Sequence, residues 1–230
     1  MSKQLPLLFL HGSAETYRCW DGVLGHTEVK GEVFRSNNLV TVERILGAAE
    51  DLPSGCHVIA HSYGGVLGLI LALHHPDKVA KLTLIEPVPF LLLRDRDDAA
   101  LEGPLAVYEA FKDFDPARAD EGVSALLNYW LGDGAWDRTP PPLRQLLLHD
   151  ADLIHNHIRH AATWEPPIDR LAALPMPVTV IAGSATRESA ASIARILSGL
   201  IPNSDYHVVQ GAGHDLVRTH PREIAELVDL

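Results

Sequence analysis

The sequence predicts an α/β fold with a mostly parallel sheet. The first observation is a series of short apolar runs that do not alternate with polar residues, which is typical of strands covered on both faces. The second is that helical stretches separate these runs, the order expected of an α/β fold. The third is size, because 230 residues with 47% apolar content suffice for one domain or a core domain with an insertion.

The elements follow in order along the chain. The apolar, partly β-branched runs predict four strands and a shorter fifth, and the longer periodic segments between them predict helices. Between Val23 and Asn38 only the fragment "GEVFRSNN" resembles a strand, so the local structure there is left open. The predicted strands are Leu5–Leu10, His57–Ala60, Leu82–Ile85, Pro177–Ala182 and Tyr206–Val209, and the predicted helices are Thr41–Ala49, Gly65–His75, Arg187–Gly199 and Arg222–Leu230.

One segment interrupts the alternation of strands and helices. Between Phe90 and Leu174 the sequence has amphipathic helical patches and proline clusters but no convincing strand. A structureless loop of that length is uncommon in a compact domain. We therefore predict a core formed by residues 1–88 and 175–230, with residues 89–174 inserted as a helical cap.

Charge and composition exclude some partners. The net charge of −11 argues against nucleic acid or an anionic membrane surface. No apolar run is long enough for a membrane span, and the first residues lack the pattern of a signal peptide. We expect a cytoplasmic protein in which Cys19 and Cys56 are free thiols. The oligomeric state is left open.

The stretch "HVIAHSYGGVLGLILAL" carries the strongest chemical signal. A strand passes through Ser62 directly into a helix, and the small residues Ala60 and Gly64 flank the serine at two positions on either side. Such a sharp turn strains the serine backbone and exposes its hydroxyl at the start of the helix. Ser62 is therefore the candidate nucleophile. The alternative is a phosphate cradle, but the spacing matches neither common glycine-rich phosphate motif.

Two further motifs complement the serine. His11-Gly12 ends the first predicted strand, and the glycine permits a turn that points backbone N–H groups above the sheet. We assign the oxyanion-hole donors to the N–H groups of Ser13 and Tyr63, with a plain strand-ending turn as the alternative. Late in the chain, "GAGH" places His214 on a loop before the last helix. It is the candidate base.

These motifs, taken in order as His11-Gly12, "AHSYGG", "LIEPV" and "GAGH", resemble the α/β-hydrolase fold family over essentially the whole chain. The usual G-x-S-x-G has Ala60 at its first glycine. The chain begins at the HG strand, so the antiparallel N-terminal strands common in the family are expected to be absent. Gly12 and Ser62 are only 50 positions apart, so we expect a small sheet.

The resemblance implies a catalytic acid, but its usual position holds no carboxylate. That position follows "PVTVIAG", where this chain has Ser184-Ala185-Thr186, and the next carboxylate is Glu188. Some family members place the acid after the strand that follows the nucleophile helix, which here ends in Glu86. We favour Glu86 as the acid that orients His214. Three alternatives for the acid remain: Glu188, a residue of the cap, or no acid at all. Glu86 could in that case be a solvated carboxylate at the end of its strand.

The remaining polar and aromatic residues receive smaller roles. We expect His11, Gly12, Tyr129, Trp130 and Trp164 to contribute to the substrate pocket, since cap aromatics often line apolar sites. The histidines of "HDADLIHNHIRH", which are His149, His155, His157 and His160, could suggest a metal. Their spacing on a helix and the lack of further ligands favour an ordinary cap helix, so no metal site is predicted.

The resemblance implies a serine hydrolase that acts on a carboxylic ester through an acyl-enzyme, with a Ser62–His214–Glu86 triad. The expected partner is a small-molecule ester, and no cofactor is required. Thioesters, lactones and amides are lesser options. A serine nucleophile disfavours dehalogenase or epoxide hydrolase chemistry, for which family members use aspartate. The alternatives are an acyltransferase, a lyase, a perhydrolase or a non-catalytic ligand-binding protein.

Overall fold

The computed structural model describes residues 4–29 and 31–229, so residues 1–3, 30 and 230 lie outside the described residues. Its strands form one sheet in the order β2-β1-β3-β4-β5-β6, and every neighbouring pair is parallel. The predicted α/β class with a parallel sheet is confirmed. The strands are β1 (Leu7–Leu10), β2 (Val33–Arg35), β3 (Cys56–His61), β4 (Val79–Ile85), β5 (Val178–Gly183) and β6 (Ser204–Val209).

The four central strands match the apolar runs of the sequence. All residues of β1, β3 and β5 are buried, as are most of β4, because helices cover both faces of the sheet. The edge strands β2 and β6 are more exposed. The fragment "GEVFRSNN" contributes β2, a strand of three residues that pairs with β1. Its shortness and exposure explain its weak signal in the sequence.

Helices pack on both faces of the sheet. One apolar core joins one sheet face to α2, α3 and α10, and a second joins the other face to α1, α11 and α12. Helix α3 is buried along almost its whole length. The helices outside the segment between β4 and β5 are α1 (Asp21–Leu24), α2 (Val42–Ala48), α3 (Tyr63–His74), α10 (Glu188–Leu200), α11 (Leu216–Thr219) and α12 (Pro221–Val228).

The segment between β4 and β5 is described throughout, and none of its residues lies in a strand. Its helices have an apolar cluster of their own, which includes Phe111, Val123 and Ile154. The division into a core and a cap at residues 89–174 stays a prediction. The helices are α4 (Asp98–Phe111), α5 (Ala119–Leu131), α6 (Ala135–Arg138), α7 (Pro141–His149), α8 (Ala151–Thr163) and α9 (Ile168–Leu171).

No helix in the described part of the chain combines the length and the apolar character needed to cross a bilayer.

Candidate active site

Ser62 lies at the junction of β3 and α3 in a strained backbone conformation. Its φ of 55° and ψ of −122° fall outside the regions that residues with a Cβ favour. The turn is tight because a Cβ on Gly64 would lie 2.3 Å from the carbonyl oxygen of Leu10. Only glycine fits at that position, and the close approach of β1 presents the Ser62 hydroxyl at the carboxyl edge of the sheet.

His214 lies on the loop between β6 and α11 and faces the serine. Its Nε2 is 3.0 Å from Oγ of Ser62, and its Nδ1 is 2.6 Å from Oε2 of Glu86. All three side chains are buried, with Glu86 completely so. The structure thus brings together the three residues that the sequence singled out as nucleophile, base and acid.

Glu86 follows the last residue of β4, and its φ of 43° is unusual for a residue other than glycine. Its Oε1 accepts a hydrogen bond from the backbone N–H of Gly183 at 2.8 Å, and its Oε2 accepts one from Oγ1 of Thr186 at 2.7 Å. The last residue of β5 and the segment after it, where the resemblance places the usual acid, instead supply donors to this carboxylate. Two strained residues other than glycine, Ser62 and Glu86, thus lie in contact with the same histidine.

The alternative acid, Glu188, lies elsewhere. It opens helix α10, its side chain is 64% exposed, and its carboxylate pairs with Arg195. It makes no hydrogen bond to His214 among the contacts of the described residues. Glu86 is therefore the carboxylate that the fold places beside the histidine.

The pKa shifts of Glu86 and His214 suit a role of His214 as a base. Burial opposes ionisation of Glu86, but its contacts with His214, Gly183 and Thr186 together outweigh burial and leave the pKa of Glu86 below its usual value. For His214, burial and the nearby His61 together lower the pKa more than Glu86 and Glu15 raise it. At neutral pH the carboxylate is ionised and the imidazole is neutral. Nδ1–H then donates to Glu86, which leaves the Nε2 lone pair free to accept the Ser62 proton.

The two residues expected to supply the oxyanion donors line the same cavity as the serine. Tyr63 is the first residue of α3, so its N–H has no intrahelical acceptor. The N–H of Ser13 has no hydrogen-bond acceptor among the described residues. Ala14, the residue after Ser13, has a φ of 59°, which marks a sharp turn after β1. Ser13, Ser62 and Tyr63 all line one cavity.

That cavity has a volume of ≈ 280 Å³, near the lower end of the range for small-molecule sites. The polar groups of the sheet edge form its floor, and apolar side chains from α5, α7 and α8 cover it. Trp130 of α5 stacks on the imidazole of His214, with ring centres 3.6 Å apart and planes tilted by 15°. The apolar lining consists of Val88, Phe90, Leu126, Leu127, Trp130, Leu131, Leu143, Leu147, Ile158 and Ala161.

Of the five residues predicted to form the pocket, only Trp130 lies on the cavity wall. Nδ1 of His11 donates a hydrogen bond to the carbonyl of Gly12, and the N–H of Gly12 donates one to Glu15. Both residues therefore make their hydrogen bonds within the loop after β1. Tyr129 turns away and its hydroxyl bonds Ser189 of α10 at 2.7 Å. Trp164 packs against the core at the end of α8. The prediction that these four residues line the cavity is therefore wrong.

The histidines of helix α8 serve packing and hydrogen bonding. Nε2 of His157 donates to the carbonyl of Val40 at 2.7 Å, and its ring stacks on Tyr63 at 4.2 Å. Burial lowers the pKa of His157 to about 4, so it is neutral at pH 7. The Tyr63 hydroxyl lies 3.1 Å from Nδ1 of His160. In the part of the chain that is described, no three His, Cys, Asp or Glu residues are grouped as metal ligands.

Sequence reasoning missed two residues of the site, Glu15 and His61. Nδ1 of His61 is 3.0 Å from Oε2 of Glu15, and its Nε2 is 2.9 Å from the backbone carbonyl of His214. Glu15 also accepts a hydrogen bond from the N–H of Gly12 at 2.9 Å. The sequence does contain a signal for the role of His61, because this histidine ends a buried strand directly before the serine. A buried polar group of this kind needs a hydrogen-bond partner.

Comparison with known families agrees with this architecture. Residues 53–221 match the alpha/beta hydrolase fold family, so more than half of the chain is covered by the match. The chain belongs to the alpha/beta hydrolase fold family. The predicted resemblance is thereby confirmed.

Particular relatives carry hydrolase names or show the same fold. The chain is 26% identical to the biotin biosynthesis bifunctional protein BioHC of Teredinibacter turnerae over 97% of its own length, but spans only 44% of that protein. It is 24% identical to esterase Rv0045c of Mycobacterium tuberculosis, covering 96% of this chain and 80% of the esterase. The structure of MenH from S. aureus superposes with a TM-score of 0.72 at 17% identity, covering 100% and 95% of the two chains. This last likeness concerns the fold alone.

Proposed function

We propose that this chain is a serine hydrolase that cleaves a carboxylic ester of a small or medium-sized, largely apolar substrate through an acyl-enzyme. The observation that carries the proposal is the hydrogen-bonded line from Ser62 Oγ to His214 Nε2, at 3.0 Å, and from His214 Nδ1 to Glu86, at 2.6 Å, beneath an apolar cavity. Membership of the alpha/beta hydrolase fold family and the esterase-named relative support it.

In the first half-reaction, Ser62 Oγ attacks the carbonyl carbon of the ester while Nε2 of His214 takes its proton. The imidazolium that forms is stabilised by the ionised Glu86. The N–H groups of Ser13 and Tyr63 stabilise the tetrahedral oxyanion. When the intermediate collapses, Nε2–H of His214 protonates the departing alkoxide. An alcohol leaves and the acyl group stays on Ser62.

In the second half-reaction a water molecule replaces the alcohol. His214 removes a proton from this water, which attacks the acyl carbonyl carbon of the ester to Ser62. The second tetrahedral intermediate uses the same two N–H donors. Its collapse returns the proton from His214 to Ser62 and releases the carboxylic acid.

The cavity suggests the substrate class. Its volume of ≈ 280 Å³ suits a small acyl or alkyl group, and its cap wall offers almost only apolar side chains. Burial of each methylene in such a wall is worth about 0.8 kcal/mol. The affinity should therefore rise with chain length until the cavity is full.

The test is a panel of p-nitrophenyl esters from acetate to decanoate, measured with the wild-type chain and with Ser62→Ala. We expect kcat/KM to peak at a short or intermediate chain and Ser62→Ala to lower kcat by at least about 10⁴-fold. Mass analysis of products formed with water, peroxide or alcohol as acceptor separates hydrolysis from perhydrolase and acyltransferase activity. Wild-type-like turnover by Ser62→Ala contradicts the proposal.

A further inference from the structure

We infer that Glu15 and His61 form a second buried acid–histidine pair that positions the loops carrying the oxyanion donor and the base. The role is a positioning one, because neither side chain contacts the Ser62 hydroxyl. The inference rests on the proposed function, since it concerns the same site. It is carried by hydrogen bonds through which the pair links three segments of the chain: the loop after β1, the end of β3 and the loop that holds His214.

The hydrogen bonds of His61 define its protonation. Nδ1 faces a carboxylate oxygen of Glu15 at 3.0 Å, and Nε2 faces the carbonyl oxygen of His214 at 2.9 Å. Both partners are acceptors, and a neutral imidazole can donate from only one nitrogen. Either His61 carries both protons or Glu15 is protonated.

The surroundings of Glu15 favour the ion pair. Its Oε2 already accepts the N–H of Gly12 at 2.9 Å, and Nε of Arg218 lies 3.4 Å from its Oε1. Burial alone would raise the pKa of Glu15, but His61, Arg218 and Gly12 together lower it to about 2. Burial likewise lowers the pKa of His61, but Glu15, the carbonyl of His214 and Glu86 together more than reverse this, so the pKa of His61 is raised. His61 is therefore the imidazolium.

The other charged and titratable groups around the pair come from five parts of the chain. The loop after β1 contributes His11, the helical turn Tyr17–Trp20 contributes Cys19, the loop before α11 contributes His214 and Asp215, α11 contributes Arg218, and the residue after β4 is Glu86. Burial lowers the pKa of His11, which is neutral at pH 7. Arg218 is half-exposed, so its contribution to the buried pair is screened by water.

The pair connects three parts of the proposed machinery. Through Gly12 it fixes the backbone just before Ser13, and through the carbonyl of His214 it fixes the loop of the base. His61 itself is the neighbour of Ser62, and the rings of His61 and His214 lie 5.1 Å apart. Displacement of a reacting group by about 1 Å can cost about 10²-fold in rate. Loss of the pair should therefore lower kcat more than it raises KM.

Two variants of His61 separate its contacts. In His61→Gln the amide nitrogen replaces Nε2 and can keep the bond to the His214 carbonyl, whereas in His61→Asn it replaces Nδ1 and can keep only the bond to Glu15. His57→Gln is the matched control. His57 lies near the opposite end of the same strand, is similarly buried and bonds Thr83 at 2.8 Å, away from the site.

We expect His61→Asn to lower kcat by about 10- to 100-fold, His61→Gln to lower it less, and His57→Gln to keep the wild-type value.

In the wild type, kcat should also decline at alkaline pH, as His61 loses its proton at a pH above the ordinary histidine value of 6.5. This decline should move to lower pH in Glu15→Gln, which removes the charge that raises the pKa. It should vanish in His61→Gln. Thermal unfolding of each variant checks the fold, and Glu15→Gln replaces His61→Asn if the latter does not fold.

Nitrogen NMR of the imidazole of His61 gives a readout independent of turnover, and both ring nitrogens should be protonated at pH 7. A singly protonated His61, a kcat of His61→Asn equal to that of His57→Gln, or an unchanged alkaline decline in His61→Gln overturns the inference. If the wild type is inactive toward every ester, the proposed function fails and the positioning role fails with it. If the wild type is active and the variants are unaffected, the positioning role alone fails.

Discussion

Oε2 of Glu86 lies 2.6 Å from Nδ1 of His214, although the two residues are 128 positions apart in the chain. The contact depends on parallel strands, because the carboxyl ends of β3, β4 and β5 meet at one edge of the sheet. Glu86 extends from the end of β4, and Gly183 at the end of β5 and Thr186 just after it supply the donors that hold it. This contact decides which nitrogen of His214 carries the proton.

Glu86→Gln should lower kcat by about 10⁴-fold. The amide can keep its oxygen toward Gly183, which turns its NH₂ group toward His214. Nδ1 must then accept, so the proton moves to Nε2 and the imidazole can no longer take the proton of Ser62. The measurement is single-turnover acylation of the best ester of the panel.

Glu188→Gln is the control for that substitution, since Glu188 is exposed and pairs with Arg195 on the surface. It should retain wild-type kcat. Near-full turnover by a folded Glu86→Gln variant, or a large loss in Glu188→Gln, shows that the acid has been assigned to the wrong residue.

The pH profile should report the neutral state of His214. Burial, together with the charge of His61, lowers the pKa of His214 more than Glu86 and Glu15 raise it, so the folded value lies below 6.5. Only the neutral form accepts a proton, and kcat/KM therefore falls as pH decreases through this lowered pKa. We expect the acid limb of kcat/KM, which reports the free enzyme, to have a midpoint below pH 6.5. A midpoint above 6.5 contradicts this account of the base.

Trp130→Leu should reduce kcat through the loss of a ring that stacks on His214 at 3.6 Å. An aromatic face stabilises the transient imidazolium by about 0.5–2 kcal/mol, which corresponds to a loss of about 2- to 30-fold. Trp130→Phe should lose less. Trp136→Leu is the control, because Trp136 packs under Arg144 outside the cavity wall. Equal kcat values for Trp130→Leu and Trp136→Leu would count against a role for the stacking.

Gly64→Ala should destabilise the fold by at least about 1–3 kcal/mol, because the new Cβ would lie 2.3 Å from a backbone carbonyl oxygen of β1. Gly47→Ala is the matched control. No atom lies within 4 Å of a Cβ at Gly47, which is in helix α2, so alanine there should stabilise by about 0.5–1 kcal/mol. Urea unfolding of both variants provides the comparison. A Gly64→Ala variant as stable as Gly47→Ala would show that the turn can relax.

The central strands and most helices of the core could be predicted because their signals are local. Continuous apolar runs identified β1, β3, β4 and β5, and the periodic stretch after Ser62 identified α3 to within two residues at its start. Strand β2 was weak in the sequence because it has three residues and lies at the exposed edge. Its pairing with β1, rather than its composition, makes it a strand.

The site was harder to predict from the sequence than the fold, because its contacts join residues from distant parts of the chain. The motifs indicated Ser62 and His214, and the vacant usual position favoured Glu86 as the acid, with Glu188 as an alternative. The strand ends bring Glu86 to the histidine. The Glu15–His61 contact spans 46 positions and depends on the fold of the loop after β1. Pocket residues were the least predictable, because a helix such as α5 directs Trp130 and Tyr129 to different sides.

The central claim is that the Ser62 hydroxyl is an activated nucleophile. It is tested most directly by incubating the folded chain with a fluorophosphonate and locating the adduct by intact-mass and peptide mass spectrometry. We predict one adduct per chain, on Ser62, formed quickly by the wild type, slowly by Glu86→Gln and not at all by Ser62→Ala. A folded wild type that forms no adduct, or forms it elsewhere while Ser62 stays free, contradicts the account.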